Sequence, residues 1–294
     1  MFASLVSRTL IAMRLPVSLI LIVLSTLGTL SAQVRCTAKD RDLCESHLKA
    51  LAEEFLSEAP MTEIIPTVGH RFIGTPYVAH TLEGETEELV VDLQGLDCTT
   101  FLENVVVLSR LVARDALTFA DFQAELAGLR YREGVVEGYP SRLHYFSDWL
   151  YQNAQKGLIT DITAELGGDA YEKEINFMST HPDAYAQLGD PATLAAIEET
   201  EAAINSRRYY YIPKDRIEAV EDRIADGDLI ALTSRVEGLD IAHVGLAIHV
   251  GDRLHFMHAS SRSMKVEIST IPLVEYMAKS HTGIMVARLE DPRL

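Results

Sequence analysis

Three side chains, far apart in the sequence, are of the types that acyl transfer needs: Cys98, His243 and His258. Cys98 lies in Gly95-Leu96-Asp97-Cys98-Thr99-Thr100-Phe101-Leu102-Glu103, a short polar loop running into an apolar segment. Phe101, Leu102, Val105, Val106, Leu108, Leu111 and Val112 recur at helical spacing, which predicts a helix to about residue 113 with one face buried. A cysteine in its first turn meets unpaired backbone N–H groups and the positive end of the macrodipole, and both favour a thiolate. The helix start has two readings. Asp97 is the N-cap, or Thr100 and Glu103 form a capping box that leaves Cys98 just outside the helix. The plain alternative for Cys98 is a small buried hydrophobe.

The histidines fall on a predicted hairpin. Residues 241–250 read as a strand, Gly251-Asp252 as a tight turn, and residues 253–259 as the returning strand. Pairing Val250 with Arg253 and counting outward sets Gly245 opposite His258 and His243 opposite Ser260. Side chains alternate along a strand, so His243 and His258 share a face one diagonal step apart, with Gly245 leaving space beside them. His255 falls on the other face, and His249 sits at the turn, too far from His243 to pair. Two neighbouring imidazoles suit a base and the group that orients it; the bland alternative is a pair of ordinary sheet histidines. Cys98, His243 and His258 also count as a three-ligand zinc set with an open position. Against that stands the lack of any short-spaced ligand pair of the His-Glu-x-x-His kind, so neither metal nor cofactor is expected.

The elements that must position these residues change character along the chain. Leu43, His47, Leu48, Leu51, Phe55 and Leu56 mark an amphipathic helix that ends before Pro60, and residues 69–77 form a turn-rich approach segment. Glu83, Glu85, Glu87 and Glu88 place residues 82–91 in a solvated hairpin or loop. Thr118, with Asp121 in the first turn, opens another helix. Residues 115–208 are helical and irregular by turns, and include a helix from Pro191 to Asn205. The last third reads as strands at 229–232, 241–250, 253–259, 265–268 and 282–288, with a short helix from Leu273 to Ala278. Helices first and an antiparallel sheet second make the fold class α+β.

Arg8 and Arg14 precede an uncharged run from Leu15 to Val34, and small residues follow through Gly28, Ser31 and Ala32. That order is a secretory signal peptide over residues 1–32, with an uncleaved anchor as the competing reading. A lipoprotein is excluded, because Cys36 follows Arg35 instead of a small residue. The expected domain layout is then one domain over 33–294, with an N-terminal helical segment (33–70) and a helical insertion (about 115–208). The formal charge is −17, or −19 without Arg8 and Arg14. Nucleic acid is excluded as a partner, since no basic stripe offsets that charge. Stable membrane insertion after cleavage is not expected either. Three cysteines in an oxidising compartment leave one over; Cys36 and Cys44 are near enough to pair, which leaves Cys98 free.

Four ordered motifs carry a resemblance: Gly74-Thr75-Pro76-Tyr77, Leu96-Asp97-Cys98-Thr99-Thr100-Phe101, Asp226-Gly227-Asp228-Leu229-Ile230 and His243-Val244-Gly245. Together they resemble the NlpC-type, papain-like cell-wall cysteine amidases. Arg142-Leu143-His144-Tyr145, Tyr211-Ile212-Pro213-Lys214, Gly238-Leu239-Asp240-Ile241-Ala242-His243 and His258-Ala259-Ser260-Ser261 are closer to the N-acetylmuramoyl-L-alanine amidase-like branch. The similarity spans about residues 69–288. It departs from the wider superfamily in Thr99 where serine is usual, in the absence of Trp-Gly-Gly after Tyr77, and in a long insertion before the sheet. The resemblance implies a papain-like core and an exported, periplasmic or secreted hydrolase of peptidoglycan fragments. The amide cut would join N-acetylmuramic acid to L-alanine, or alternatively D-glutamate to diaminopimelate. It also implies that Cys98 is the nucleophile, His243 the base, and His258 the holder of its tautomer. Tyr77 is the implied second oxyanion donor beside the Cys98 amide. Asp97, Arg142, His144, Tyr145, Ser260 and Ser261 are candidate substrate contacts, with plain core as the alternative for the aromatic cluster. A non-catalytic wall-binding module is the remaining alternative.

Overall fold

A computed structural model describes residues 33–277 and 281–294; the expected signal sequence lies outside the described residues. In chain order the first half contains β1 (Val34–Cys36), α1 (Ala38–Glu53), α2 (Met61–His70), β2 (Leu89–Val91), α3 (Cys98–Ala113), α4 (Phe119–Arg130) and α5 (Phe146–Gln155). Then come β3 (Ile159–Asp161), β4 (Asp169–Ala170), α6 (Phe177–Thr180), α7 (Pro191–Asn205) and β5 (Tyr210–Pro213). The last part is β6 (Leu229–Ser234), β7 (Ile241–Val250), β8 (Arg253–Ser260), β9 (Lys265–Ile268), α8 (Leu273–Tyr276) and β10 (His281–Leu289).

Eight strands make one sheet in the order β4-β5-β10-β6-β7-β8-β9, with β3 also paired to β10. All its pairings are antiparallel. Its strands are rich in Ile, Leu, Val and Ala because both faces are covered. On one face Leu229, Ala231, Val244, Leu246, Met257 and Met285 meet the helices. On the other, Ile230, Leu232, Ala247, Phe256, Ile284 and Val286 pack with Leu273 and Met277. The fold is mixed α and β around an antiparallel sheet.

The helix α3 is buried on more than one side, because β7 and β8 flank it along with α2 and α4. Every residue from Thr100 to Ala113 is buried, polar ones included. Each charge therefore needs a partner. Glu103 accepts from Arg130 Nε at 2.7 Å and from Trp149 Nε1 at 3.2 Å, and Arg110 pairs with Glu125 at 2.6 Å. The sequence pattern had predicted one apolar face; the opposite face is closed by ion pairs as well as by hydrocarbon.

Residues 61–70 are helical in spite of Pro66, which sits inside α2, within the span expected to be helical. Two local expectations change. Residues 89–91 pair in parallel with β1 and are buried, and of the acidic run before them Glu85 is exposed while the Glu87 side chain is buried against Arg142. The short helix near 273 ends at Tyr276. The Thr118–Asp121 capping box and the helix from Pro191 to Asn205 stand where the sequence places them.

Candidate active site

The polar loop before α3 resolves its two readings by hydrogen bonding. The Asp97 carboxylate accepts from the Thr100 amide at 2.8 Å, and Thr100 Oγ1 accepts from the Asp97 amide at 2.9 Å. Asp97 is thus the N-cap and Cys98 the first helical residue. Glu103 points inward to Arg130 and takes no part in the cap.

The sulfur of Cys98 is partly buried. Polar hydrogens of the Val244 amide, the Thr99 amide and the Thr99 hydroxyl point at it and lower its pKa. Burial and then the Asp97 carboxylate outweigh them, and the thiol is pushed up to about 11. This corrects the expectation of a thiolate: the residue that caps the helix places a negative charge beside the sulfur and opposes the macrodipole. Tyr77 is held alongside by its bridge to Leu96, and its phenol is raised by burial and by the neighbouring Cys98.

Across from α3, the hairpin has the predicted register, from Val250 with Arg253 to Leu246 with Met257. His243 Nε2 and His258 Nδ1 are 2.7 Å apart. Gly245 permits this approach: a Cβ there would lie 2.4 Å from the Met257 carbonyl oxygen and 2.9 Å from the His258 Cβ. Phe256 stacks under His258 with ring centroids 4.8 Å apart, and Tyr276 meets its edge at 4.9 Å. His258 is fully buried, and its Nε2 has no hydrogen-bond partner among the described residues. Burial lowers both rings, His258 to about 4 despite Glu267 opposite, and His243 to about 3 with His258 and His281 adding to the effect. Both imidazoles are therefore neutral at pH 7. His243 Nε2 is spent on His258, so Nδ1 is the nitrogen left for proton transfer. Among the described residues no hydrogen bond joins Cys98 Sγ to either ring; on β7 it is the Val244 amide that reaches the sulfur.

His255 bonds the Ser269 carbonyl at 2.7 Å, and His249 pairs with Asp226 at 2.7 Å, so neither joins the imidazole pair. His281 and Tyr276 were missed by sequence reasoning. Neither belongs to a motif, and both reach the histidines only through strand order and packing.

The residues Asp97, Thr99, Arg142, His144 and Tyr145 line a cavity of about 190 Å³ next to Cys98. The sequence-predicted cluster is therefore brought to the side of Cys98, though its polar groups are largely occupied. Arg142 donates to Glu83 at 2.8 Å and faces Glu87 at 3.1 Å. Tyr145 donates to Glu201 at 2.6 Å, and His144 Nε2 is 2.8 Å from the Tyr139 carbonyl. Ser260 is buried and accepts from the Ser263 amide at 3.2 Å; Ser261 is exposed. Zinc is a poor fit to the three residues. Two imidazole nitrogens on a tetrahedral zinc stand about 3.3 Å apart, whereas 2.7 Å is a hydrogen-bond distance. Among the described residues no group of three or more His, Cys, Asp or Glu is arranged to hold a metal. Cys36 and Cys44 carry free thiols.

Cys98 thus opens a helix that packs on a sheet carrying a hydrogen-bonded histidine pair. The family model for AmiA-like, N-acetylmuramoyl-L-alanine amidase-like proteins matches residues 67–284, and the chain belongs to that family. A solved N-acetylmuramoyl-L-alanine amidase from Bacteroides uniformis is 35% identical with a TM-score of 0.75, over 78% of this chain and 99% of that one. A Bacteroides fragilis structure bearing a provisional xylanase name is 38% identical with a TM-score of 0.72, over 76% of this chain and 100% of that one. A Legionella pneumophila protein, 23% identical with a TM-score of 0.65, covers 86% of this chain and 97% of its own length and shares the fold. No curated protein matches the chain. Among the described residues no helix is long and apolar enough to cross a membrane.

Proposed function

We propose that this chain is an exported cysteine amidase that hydrolyses the amide between N-acetylmuramic acid and L-alanine in peptidoglycan fragments. The observation that carries the proposal is the 2.7 Å imidazole pair on the hairpin whose Val244 amide reaches the Cys98 sulfur. A cysteine on that helix and histidines on the antiparallel sheet also support a papain-like, NlpC-type placement. The proposal includes a cleavable leader over residues 1–32 and a single amidase domain over 33–294, acting in the periplasm or outside the cell.

The chemistry follows from the neutral resting pair. The thiol proton passes to His243 Nδ1 as the sulfur attacks the amide carbon, and His258 holds the opposite side of the ring. The oxyanion takes the Cys98 amide, with the Tyr77 hydroxyl as its second donor. The C–N bond breaks as His243 returns the proton to the alanine nitrogen, leaving a thioester. Water then attacks, His243 takes its proton, and the acid leaves as the thiol is restored. The cavity beside Asp97 and Thr99 receives the part of the substrate next to the scissile bond.

Mass spectrometry of a digested disaccharide–peptide tests the reading: free disaccharide plus intact peptide is expected. A shortened stem peptide still on the sugar would instead mean the bond between D-glutamate and diaminopimelate. Full activity of Cys98→Ser would overturn the cysteine mechanism.

A further inference from the structure

A second cleft lies where β6 runs out beyond the imidazole pair. It has a volume of about 640 Å³ and is lined by Tyr171, Lys173, Tyr211, Ser234, Arg235 and Thr282. Leu232 is the cross-strand partner of His243, and Ser234 and Arg235 follow two and three residues later on the same chain. At strand rise, that is about 7–10 Å along β6. Ser234 also pairs with His281, whose charge is felt at His243, so the cleft and the histidines share a sheet end.

Its charge is unusual for a chain of formal charge −17. Lys173 Nζ donates to the carbonyls of Ser234 and Val236 at 2.8 and 2.5 Å. It thereby pins the segment that presents Arg235. Neither Lys173 nor Arg235 is in an ion pair among the described residues, although fifteen such pairs there bind most of the other arginines. Arg235 is exposed. Glu172 is the one acidic residue of the lining, and it is exposed too. An adjoining cavity of about 240 Å³ shares Tyr171 and Lys173 and adds Arg207 and Arg208. Lys173 and Arg235, outside any ion pair among the described residues, line the cleft beside the edge-to-face rings of Tyr171 and Tyr211 and the hydroxyl residues Ser234 and Thr282, a set that suits a carboxylate on an extended chain.

We infer that this cleft is the subsite for the carboxylate-bearing stem peptide, with Arg235 as the specificity-determining group; this rests on the amidase reading above. The departing amine then leads away from Cys98 over the end of β6, and the sugar-bearing acyl group stays on the side of Asp97. Lys173 acts as a positioning residue through the carbonyls it holds.

Two measurements test this without relying on each other. Calorimetric titration of the wild-type protein with a free stem tripeptide, and with the same tripeptide amidated at its carboxylates, reads the subsite directly. The carboxylate form is expected to bind about tenfold tighter, about 1.4 kcal/mol, and Arg235→Glu is expected to erase that preference while its thermal unfolding stays unchanged. Equal binding of the two peptides, or a preference that survives Arg235→Glu, overturns the inference. In parallel, hydrolysis of the disaccharide–peptide should show KM raised about tenfold in Arg235→Glu with kcat unchanged. Arg235-dependent peptide binding without any hydrolysis by the wild type would sink the amidase reading and leave the subsite standing.

Discussion

Replacing Gly245 by alanine tests the imidazole pair through the one position that makes room for it. The new Cβ would lie 2.4 Å from the Met257 carbonyl oxygen, 2.8 Å from Phe256 Cε2 and 2.9 Å from the His258 Cβ. Ordinary contact begins at 3.4 Å, so β8 must retreat by about 1 Å, and the first obstacle is main chain, which has no rotamer to escape into. Overpacking of this kind costs about 1–3 kcal/mol. For a domain of this size that lowers Tm by roughly 2–12 °C. The same retreat stretches the 2.7 Å bond between His243 and His258 past hydrogen-bonding distance, and a misplacement of about 1 Å costs roughly 100-fold in rate. Scanning fluorimetry and muropeptide release measured on the same preparation should show both losses. A Gly245→Ala variant with wild-type Tm and activity within twofold would refute the packing argument and the orienting role of His258 together. Gly128→Ala is the control of opposite sign, since its Cβ meets nothing within 4 Å in the middle of α4 and should gain about 0.5–1 kcal/mol.

Further outcomes follow from the buried charges. His243 and His258 are lowered to about 3 and about 4 in the native chain, while the unfolded chain protonates them near 6.5. Their contribution is present above about pH 6.5 and is lost as pH falls toward 4, because the unfolded state then binds more protons. Tm should therefore drop between pH 7 and pH 4.5, and by less in a His243→Gln, His258→Gln double variant. With its thiol pushed up to about 11, Cys98 in the resting protein should react with iodoacetamide at pH 7 more slowly than free cysteine; a faster rate would contradict the protonated resting state. Glu103→Ala strands Arg130, which is 2% exposed, and should cost about 3–5 kcal/mol in denaturant unfolding. The double replacement Glu103→Leu, Arg130→Met should recover much of that loss.

The site was legible in the sequence wherever a single element carries the information. A 3.6-residue apolar period places α3, and a two-residue turn with strict alternation places His243 and His258 on one face. What the sequence did not reveal depends on elements meeting at a distance. Glu103 looked like a capping residue because its partners, Arg130 and Trp149, are 27 and 46 residues away. Arg142 looked free because Glu83 and Glu87 read as a solvated run, yet both reach back to its guanidinium. The short parallel pairing of β1 with β2 joins segments 55 residues apart with no hairpin signal between them. The pKa of Cys98 was misjudged for a related reason. The macrodipole is a local effect visible in the sequence, whereas desolvation comes from everything packed around the sulfur.

The Asp97 cap has a chemical corollary for the time between turnovers. A sulfur kept protonated is a poor target for peroxide and for disulfide exchange, since both reactions start from the anion. The carboxylate that winds the first turn of α3 therefore adds to burial in quieting the thiol beside it. On the proposed mechanism such a thiol can idle among oxidants without being consumed, and is armed only when a bound amide draws the proton across to the imidazole.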